Sequence, residues 1–228
     1  MPSVLVTGAN RGLGLEFARQ YAEDGWRVFA ACRSPNQAAE LARLCDGHPA
    51  ASVHAVDVAE PASIDRLAGE LSEEPIDLLL NNAGVIGKNQ HFGSLERDGW
   101  LAALATNVVG PALMCQALVE NVARSERKLM VTITSGMGSI ADSSGGHYVY
   151  RSTKAAVNMV MHSLALELKA RGIGVFVINP GWVKTDMGGA RAPLSPQASI
   201  AAMRGVFDGV TLEDTGAFLN YDGGRYPW

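Results

Sequence analysis

Tyr150 and Lys154 stand four positions apart in a stretch of helical periodicity, so both side chains project from one face, about a turn from each other. A phenol with an ordinary pKa of about 10 is a poor acid or base near neutrality, and an ammonium fixed beside it favours the phenolate. The pair predicts a group that gives a proton to a carbonyl oxygen as hydride arrives, or takes one from an alcohol in reverse. Taken alone, the spacing also fits a half-buried aromatic beside a surface lysine, so its surroundings must decide. Tyr148 is the rival acid, but the residue four positions after it is Ser152, which brings no charge. Ser135 directly follows the apolar run Leu129–Thr134. At the carboxyl end of a parallel strand its hydroxyl can stabilise a developing oxyanion.

A second constellation lies near the amino terminus, where Thr7-Gly8-Ala9-Asn10-Arg11-Gly12-Leu13-Gly14 follows the first apolar run. Small residues there let backbone N–H groups approach a pyrophosphate at the start of a helix, whose dipole favours the anion. The spacing Gly-x-x-x-Gly-x-Gly departs from the general dinucleotide fingerprint, so placement after a first strand carries the inference. Dinucleotide folds that take NAD put a carboxylate at the end of the second strand to bind the ribose 2′-hydroxyl. Here that region reads Ala30-Ala31-Cys32-Arg33. Arg33, with Arg11 as a second donor, suits a 2′-phosphate through a forked, charge-assisted contact, so NADP(H) is expected over NAD. Asp57, after the third apolar run, suits either the adenine amino group or the cap of a helix beginning near Pro61.

These residues need strands and helices to position them. Apolar runs recur at Val4–Val6, Arg27–Cys32, Val53–Val56, Asp77–Leu80, Leu129–Thr134 and Val175–Ile178. Amphipathic stretches separate them at Leu13–Ala22, Ala38–Leu44, Ser63–Leu71, Trp100–Ala123 and Ser152–Lys169. The alternation implies right-handed βαβ units and an α/β fold: a Rossmann-type, doubly wound parallel sheet flanked by helices. One domain over residues 1–228 is expected, with a substrate loop near 186–199 where Gly, Ala and Pro concentrate. A net charge of -4 without a basic cluster argues against nucleic acid. The three cysteines, Cys32, Cys45 and Cys115, form no CxxC pair, so neither a disulfide framework nor a metal site is expected. The apolar runs fall well short of the ~20 residues that cross a bilayer. A cytoplasmic protein without a membrane partner is the expectation.

Together these motifs resemble the short-chain dehydrogenase/reductase family: Thr7–Gly14, Asn81-Asn82-Ala83-Gly84, Asn107, Ser135, Tyr150-x-x-x-Lys154 and Asn179-Pro180-Gly181 occur in family order over most of the chain. Val85 and the Asn10–Gly14 loop look like those of NADP-dependent carbonyl reductases, and Pro180–Gly189 and Tyr221–Trp228 are similar to C-factor-like and Sniffer-like members. The resemblance implies a catalytic tetrad: Tyr150 as the acid, Lys154 as ribose anchor, Ser135 as partner of the carbonyl, and Asn107 holding a water-linked proton path to Lys154. It places Gly8, Asn10, Arg11, Gly12, Leu13, Gly14, Arg33, Asp57, Val58, Asn82, Ala83 and Gly84 along the cofactor. Pro180, Gly181, Val183 and Thr185 would surround the nicotinamide carboxamide. The interval of 15 residues from Ser135 to Tyr150 is slightly longer than the family's, with Asp142–His147 as a polar insertion that bears on pocket shape rather than on the acid.

Met137, His147, Trp182 and Met187 are expected to line a pocket for a small carbonyl compound with an apolar body. Fewer than 50 residues follow Pro180, which disfavours a sugar epimerase with its larger substrate domain. The resemblance also implies a homodimer or homotetramer built on Trp100–Ala123 and Tyr150–Lys169. An NADP-binding signalling or redox-sensing protein of the C-factor type, with little turnover, is the alternative reading.

Overall fold

Strands buried on both faces need apolar side chains at successive positions, and these runs have them. The computed structural model describes residues Met1–Trp228. Its strands are β1 (Ser3–Thr7), β2 (Arg27–Cys32), β3 (Ala51–Ala55), β4 (Leu78–Asn81), β5 (Leu129–Ile133), β6 (Gly174–Asn179) and β7 (Phe218–Asn220). All pair in parallel in the order β3-β2-β1-β4-β5-β6-β7. The order reverses between β1 and β4, and in doubly wound sheets that switch opens a crevice at the carboxyl ends of the strands.

The helices are α1 (Gly12–Glu23), α2 (Ala39–Asp46), α3 (Pro61–Glu70), α4 (Arg97–Leu104), α5 (Gly110–Ala123), α6 (Tyr148–Leu168) and α7 (Pro196–Gly209). Side chains alternate across the sheet and feed two cores. Val4, Val6, Val28, Leu78, Leu80 and Val131 meet Phe17, Leu41, Ile200 and Met203 on one face. Leu5, Phe29, Leu79, Met130 and Val175 meet Ile64, Met114, Leu118, Val157 and Met161 on the other.

Three sequence expectations are corrected. The stretch assigned to a loop through Ser199 ends earlier: Ser195 caps α7 by accepting the Ala198 N–H, and Pro196 begins the helix. The loop is also tied to itself. Val183 bridges Leu194, the Gly188 amide donates to Thr185 Oγ1 at 3.1 Å, and Trp182 Nε1 donates to the Gly188 carbonyl at 2.8 Å. A last crossover through α7 to β7 lies beyond the expected elements, because β7 spans only three residues. Finally, Arg97–Ala123 runs as one helical rod of 27 residues, long and apolar enough to cross a bilayer by length and composition. Its Met114, Cys115, Leu118 and Val122 belong to the core, which accounts for that apolarity.

Candidate active site

The glycine loop follows β1 directly, and its backbone is shaped by close approach. Gly8 has φ +67, and a Cβ there would stand 3.0 Å from Ala83 Cα; one on Gly14 would stand 2.2 Å from the Gly8 carbonyl oxygen. Only glycine fits both places, and the first amides of α1 receive no side-chain cap. The result is a cradle of unpaired donors at a positive helix end. Asn82, just past β4, braces it: its side-chain amide donates to the Thr7 carbonyl at 2.8 Å, while Thr7 Oγ1 accepts the Asn82 and Ala83 N–H groups. Asn81 stays buried below, donating to Thr132 Oγ1 and Cys115 Sγ.

Arg33 follows β2 directly, its side chain 78% exposed and 4.0 Å from Asp57. Asp57 does not cap α3, whose cap position is Glu60; its Oδ1 accepts the Ala59 N–H instead. Val58 is buried against Gly110, where a Cβ would meet the Val58 oxygen at 2.6 Å. Arg11 does not join Arg33 here. Its guanidinium reaches across to Asp186 at 3.3 Å, pairing the glycine loop with the 182–195 loop. On the far side of the crevice Pro180 accepts the Ser199 hydroxyl, and Gly181 adopts φ +79 beside the Tyr221 ring.

Ser135 leaves β5 and caps a short turn, its oxygen accepting the Met137 N–H at 3.1 Å, so its own proton is free to donate elsewhere. Asn179 and Asn158 hold that turn, accepting the Gly136 N–H at 3.0 Å and donating to the Gly138 carbonyl at 3.3 Å respectively. Tyr150 sits in the first turn of α6, with the Ser135 side chain near enough to its phenol to lower its pKa. One turn on, Lys154 is 5% exposed and donates to the Ile133 carbonyl at 2.8 Å, its Nζ lying 5.7 Å from the centre of the Tyr150 ring. Burial pulls the lysine down to about 8. Burial also pushes the Tyr150 phenol above its ordinary value, and Ser135 only partly offsets this. In this structure the direction of the phenol's shift is set by desolvation rather than by the Lys154 ammonium expected from the spacing.

Asn107 is buried, and the helix around it is a π segment, Ala105–Val109, of a kind that recurs at functional sites. Its amide exchanges two hydrogen bonds with the Val85 backbone, both 2.8 Å, and donates to Thr153 Oγ1 at 2.9 Å. A Cβ on Gly84 would lie 3.4 Å from Asn107 Oδ1 and 3.7 Å from Lys154 Nζ, so the three meet beside the crevice. Trp182 and Met187 are exposed, as is His147, which adopts a left-handed φ of 46 before α6. Sequence reasoning missed Thr153, Asn158 and Gln90; the last two look like ordinary polar residues until the fold places them against the turn after Ser135 and the backbone of Tyr150.

Residues 2–193 match the family model for short chain dehydrogenase. The chain belongs to that family. It is an oxidoreductase family, and the site above lies where the sheet order switches. The chain is 36% identical over 155 residues to the C-signal of Myxococcus xanthus, covering 68% of this chain and 93% of that relative. Among solved structures it is similar to the carbonyl reductase Sniffer of D. melanogaster, at TM-score 0.94 and 31% identity with 100% of both chains covered. It is likewise similar to the NADPH-bound carbonyl reductase from chicken fatty liver, at TM-score 0.93 and 32% identity, covering 100% of this chain and 99% of that one.

Proposed function

We propose that this short-chain dehydrogenase is an NADP(H)-dependent carbonyl reductase that converts an aldehyde or ketone with an apolar body into an alcohol, with Tyr150 as general acid. The observation that carries the reading is the meeting of Ser135, Tyr150 and buried Lys154 beside the glycine cradle. The likeness to two carbonyl reductases over essentially the whole chain supports it.

The residues fit the cofactor. The cradle of Gly8, Asn10, Arg11, Gly12, Leu13 and Gly14 would hold the pyrophosphate, and Arg33 would meet the 2′-phosphate, with Arg11 released from Asp186. Asp57 and Val58 would border the adenine. Asn82, Ala83, Gly84, Pro180, Gly181, Val183 and Thr185 would flank the nicotinamide end, and Lys154 and Tyr150 the adjacent ribose. NADPH, when bound, supplies the hydride.

The protein's own groups handle the proton and the charge. Ser135 directs its hydroxyl at the carbonyl oxygen, because its oxygen is already engaged by Met137. Tyr150, neutral at pH 7 and with its pKa raised further by burial, gives its proton to that oxygen. Lys154, with a pKa near 8, is mostly charged at pH 7 and stabilises the phenolate left behind. Asn107 clamps the Val85 backbone and Thr153 beside Lys154, which suits the water-linked path by which the proton is restored. Exposed Leu101, Val109, Met159 and Leu166 support assembly into a homodimer or homotetramer through the helical rod and α6.

Tyr150→Phe tests the reading by NADPH oxidation with a panel of aldehydes and ketones. The expected result is a loss of turnover by at least about 100-fold with cofactor affinity nearly unchanged; equal activity removes Tyr150 from the mechanism. The C-signal relative favours a second reading, a cofactor-binding signal with little turnover. Tight NADPH binding with no reduction of any carbonyl in the panel would favour that reading.

A further inference from the structure

A helix needs partners for its first amides, and α6, which carries both Tyr150 and Lys154, has none of its own. His147 at its cap position makes no side-chain cap. The partner comes from the loop after β4. The Gln90 carbonyl accepts the Tyr148 N–H at 3.1 Å, and its side-chain Oε1 accepts the Tyr150 N–H at 3.0 Å. The same side chain is 9% exposed, and its Nε2 donates to the Ile86 carbonyl at 2.8 Å, which fixes the amide plane. The loop approaches α6 closely enough that a Cβ on Gly87 would stand 2.8 Å from Val149 Cγ1.

The other end of this loop is held by Asn107 through Val85, and the two ends close a circuit. Asn107 donates to Thr153 Oγ1, and the Thr153 hydroxyl donates to the Tyr150 carbonyl at 2.9 Å. The backbone of Tyr150 is thus gripped on both sides, its N–H by Gln90 and its C=O by Thr153. We propose that Gln90 is a positioning residue for Tyr150, a cap supplied from the β4 loop that sets the first turn of α6 and so keeps the phenol beside Ser135. This rests on the carbonyl-reductase reading for its kinetic consequence, though not for its structural one. With the cap lost, the first turn of α6 shifts, the contact with Ser135 weakens, and the phenol loses the one interaction that offsets its burial.

The experiment compares Gln90→Met, which keeps the shape and loses both side-chain hydrogen bonds, with Gln90→Glu, which keeps an acceptor for the Tyr150 N–H. Gln90→Met is expected to lower kcat about 10-fold, as small misplacements of a reacting group do. KM for NADPH should stay level, and Gln90→Glu should recover most of the loss. Ionisation of Tyr150, isolated as the ultraviolet difference between proteins with and without Tyr150→Phe, should move to higher pH in Gln90→Met. That readout needs no turnover. A parent that reduces no carbonyl while Gln90→Met still moves the ionisation would sink the proposed reaction and uphold the positioning role. Folded Gln90→Met with parental kcat and parental Tyr150 ionisation overturns the proposal. So does a fall in kcat matched by an equal loss of NADPH affinity with the ionisation unmoved. Should Gln90→Met not fold, Gln90→Asn, too short to reach the Tyr150 N–H, takes its place with the same expectations.

Discussion

Lys154 is held in the protein at the expense of stability, and Lys154→Met exposes the amount. The ammonium is 5% exposed, and burial alone lowers it from 10.5 to about 8. At about 1.4 kcal/mol per pH unit, that depression corresponds to roughly 3 kcal/mol opposing the fold at pH 7. Methionine removes this cost but leaves the Ile133 carbonyl without its lysine donor, a loss of about 1–2 kcal/mol. Net stabilisation of about 1–2 kcal/mol is expected at pH 7, with turnover lost. The sign with pH follows from the direction of the shift. Between about 8 and 10.5 the unfolded chain keeps a proton that the folded protein has released, so the Lys154 contribution makes the parent more stable as pH rises through that window. Cys32, Cys45 and Cys115, whose thiols burial pushes up, act in the opposite sense at alkaline pH, but in both proteins alike. The difference between the two therefore reports Lys154 together with the Tyr150 phenol beside it. Urea unfolding followed by circular dichroism at pH 7, 8, 9 and 10 measures it. The variant should lead at pH 7, and the order should reverse as pH passes about 9. A variant no more stable than the parent at pH 7, or a gap constant with pH, refutes the reasoning.

Other outcomes follow from the same geometry. Arg33→Ala should weaken NADPH about 10- to 100-fold and NADH hardly at all in a fluorescence titration, since only the former carries a 2′-phosphate; equal losses would mean that Arg33 does not read that group. Gly136→Ala places a Cβ 2.5 Å from Tyr226 Oη. Tyr226 also donates to Asp142 at 3.1 Å, so the ring cannot yield freely. A loss of about 1–3 kcal/mol is expected on thermal unfolding, partly relieved by Tyr226→Phe; additive effects would show that the two residues do not press on each other.

Most of the first six strands were legible because strands covered on both faces carry continuous apolar runs, as Val4–Val6 and Leu129–Ile133 do, whereas the edge strand β3, Ala51–Ala55, is only partly buried and its start lay two residues before the run read from Val53. β7 was not, for Phe218–Asn220 is too short to stand out and owes its place to pairing with β6. Helix α7 has a readable stripe in Ile200, Met203 and Phe207, but the preceding Gly, Ala and Pro residues drew the loop boundary too far. Among the site residues, the types that do chemistry showed themselves through spacing and order. Their environment did not. The burial that lowers Lys154 and raises Tyr150 comes from tertiary packing, and the exchange of Arg11 onto Asp186 joins residues 175 positions apart. Gln90 shows the limit most clearly: nothing in a loop glutamine announces that it caps a helix 58 residues further on.

An NADP(H)-dependent carbonyl reductase must bind the phosphorylated nucleotide in this crevice and use it on carbonyl compounds. The most direct measurement is titration of the protein with NADPH and NADH, followed by NADPH oxidation with aldehydes, ketones and diketones. NADPH should bind more tightly than NADH, and at least one carbonyl should be reduced in a reaction that Tyr150→Phe abolishes; equal affinity for the two nucleotides, or binding with no turnover across the panel, would rule out an NADP(H)-dependent carbonyl reductase.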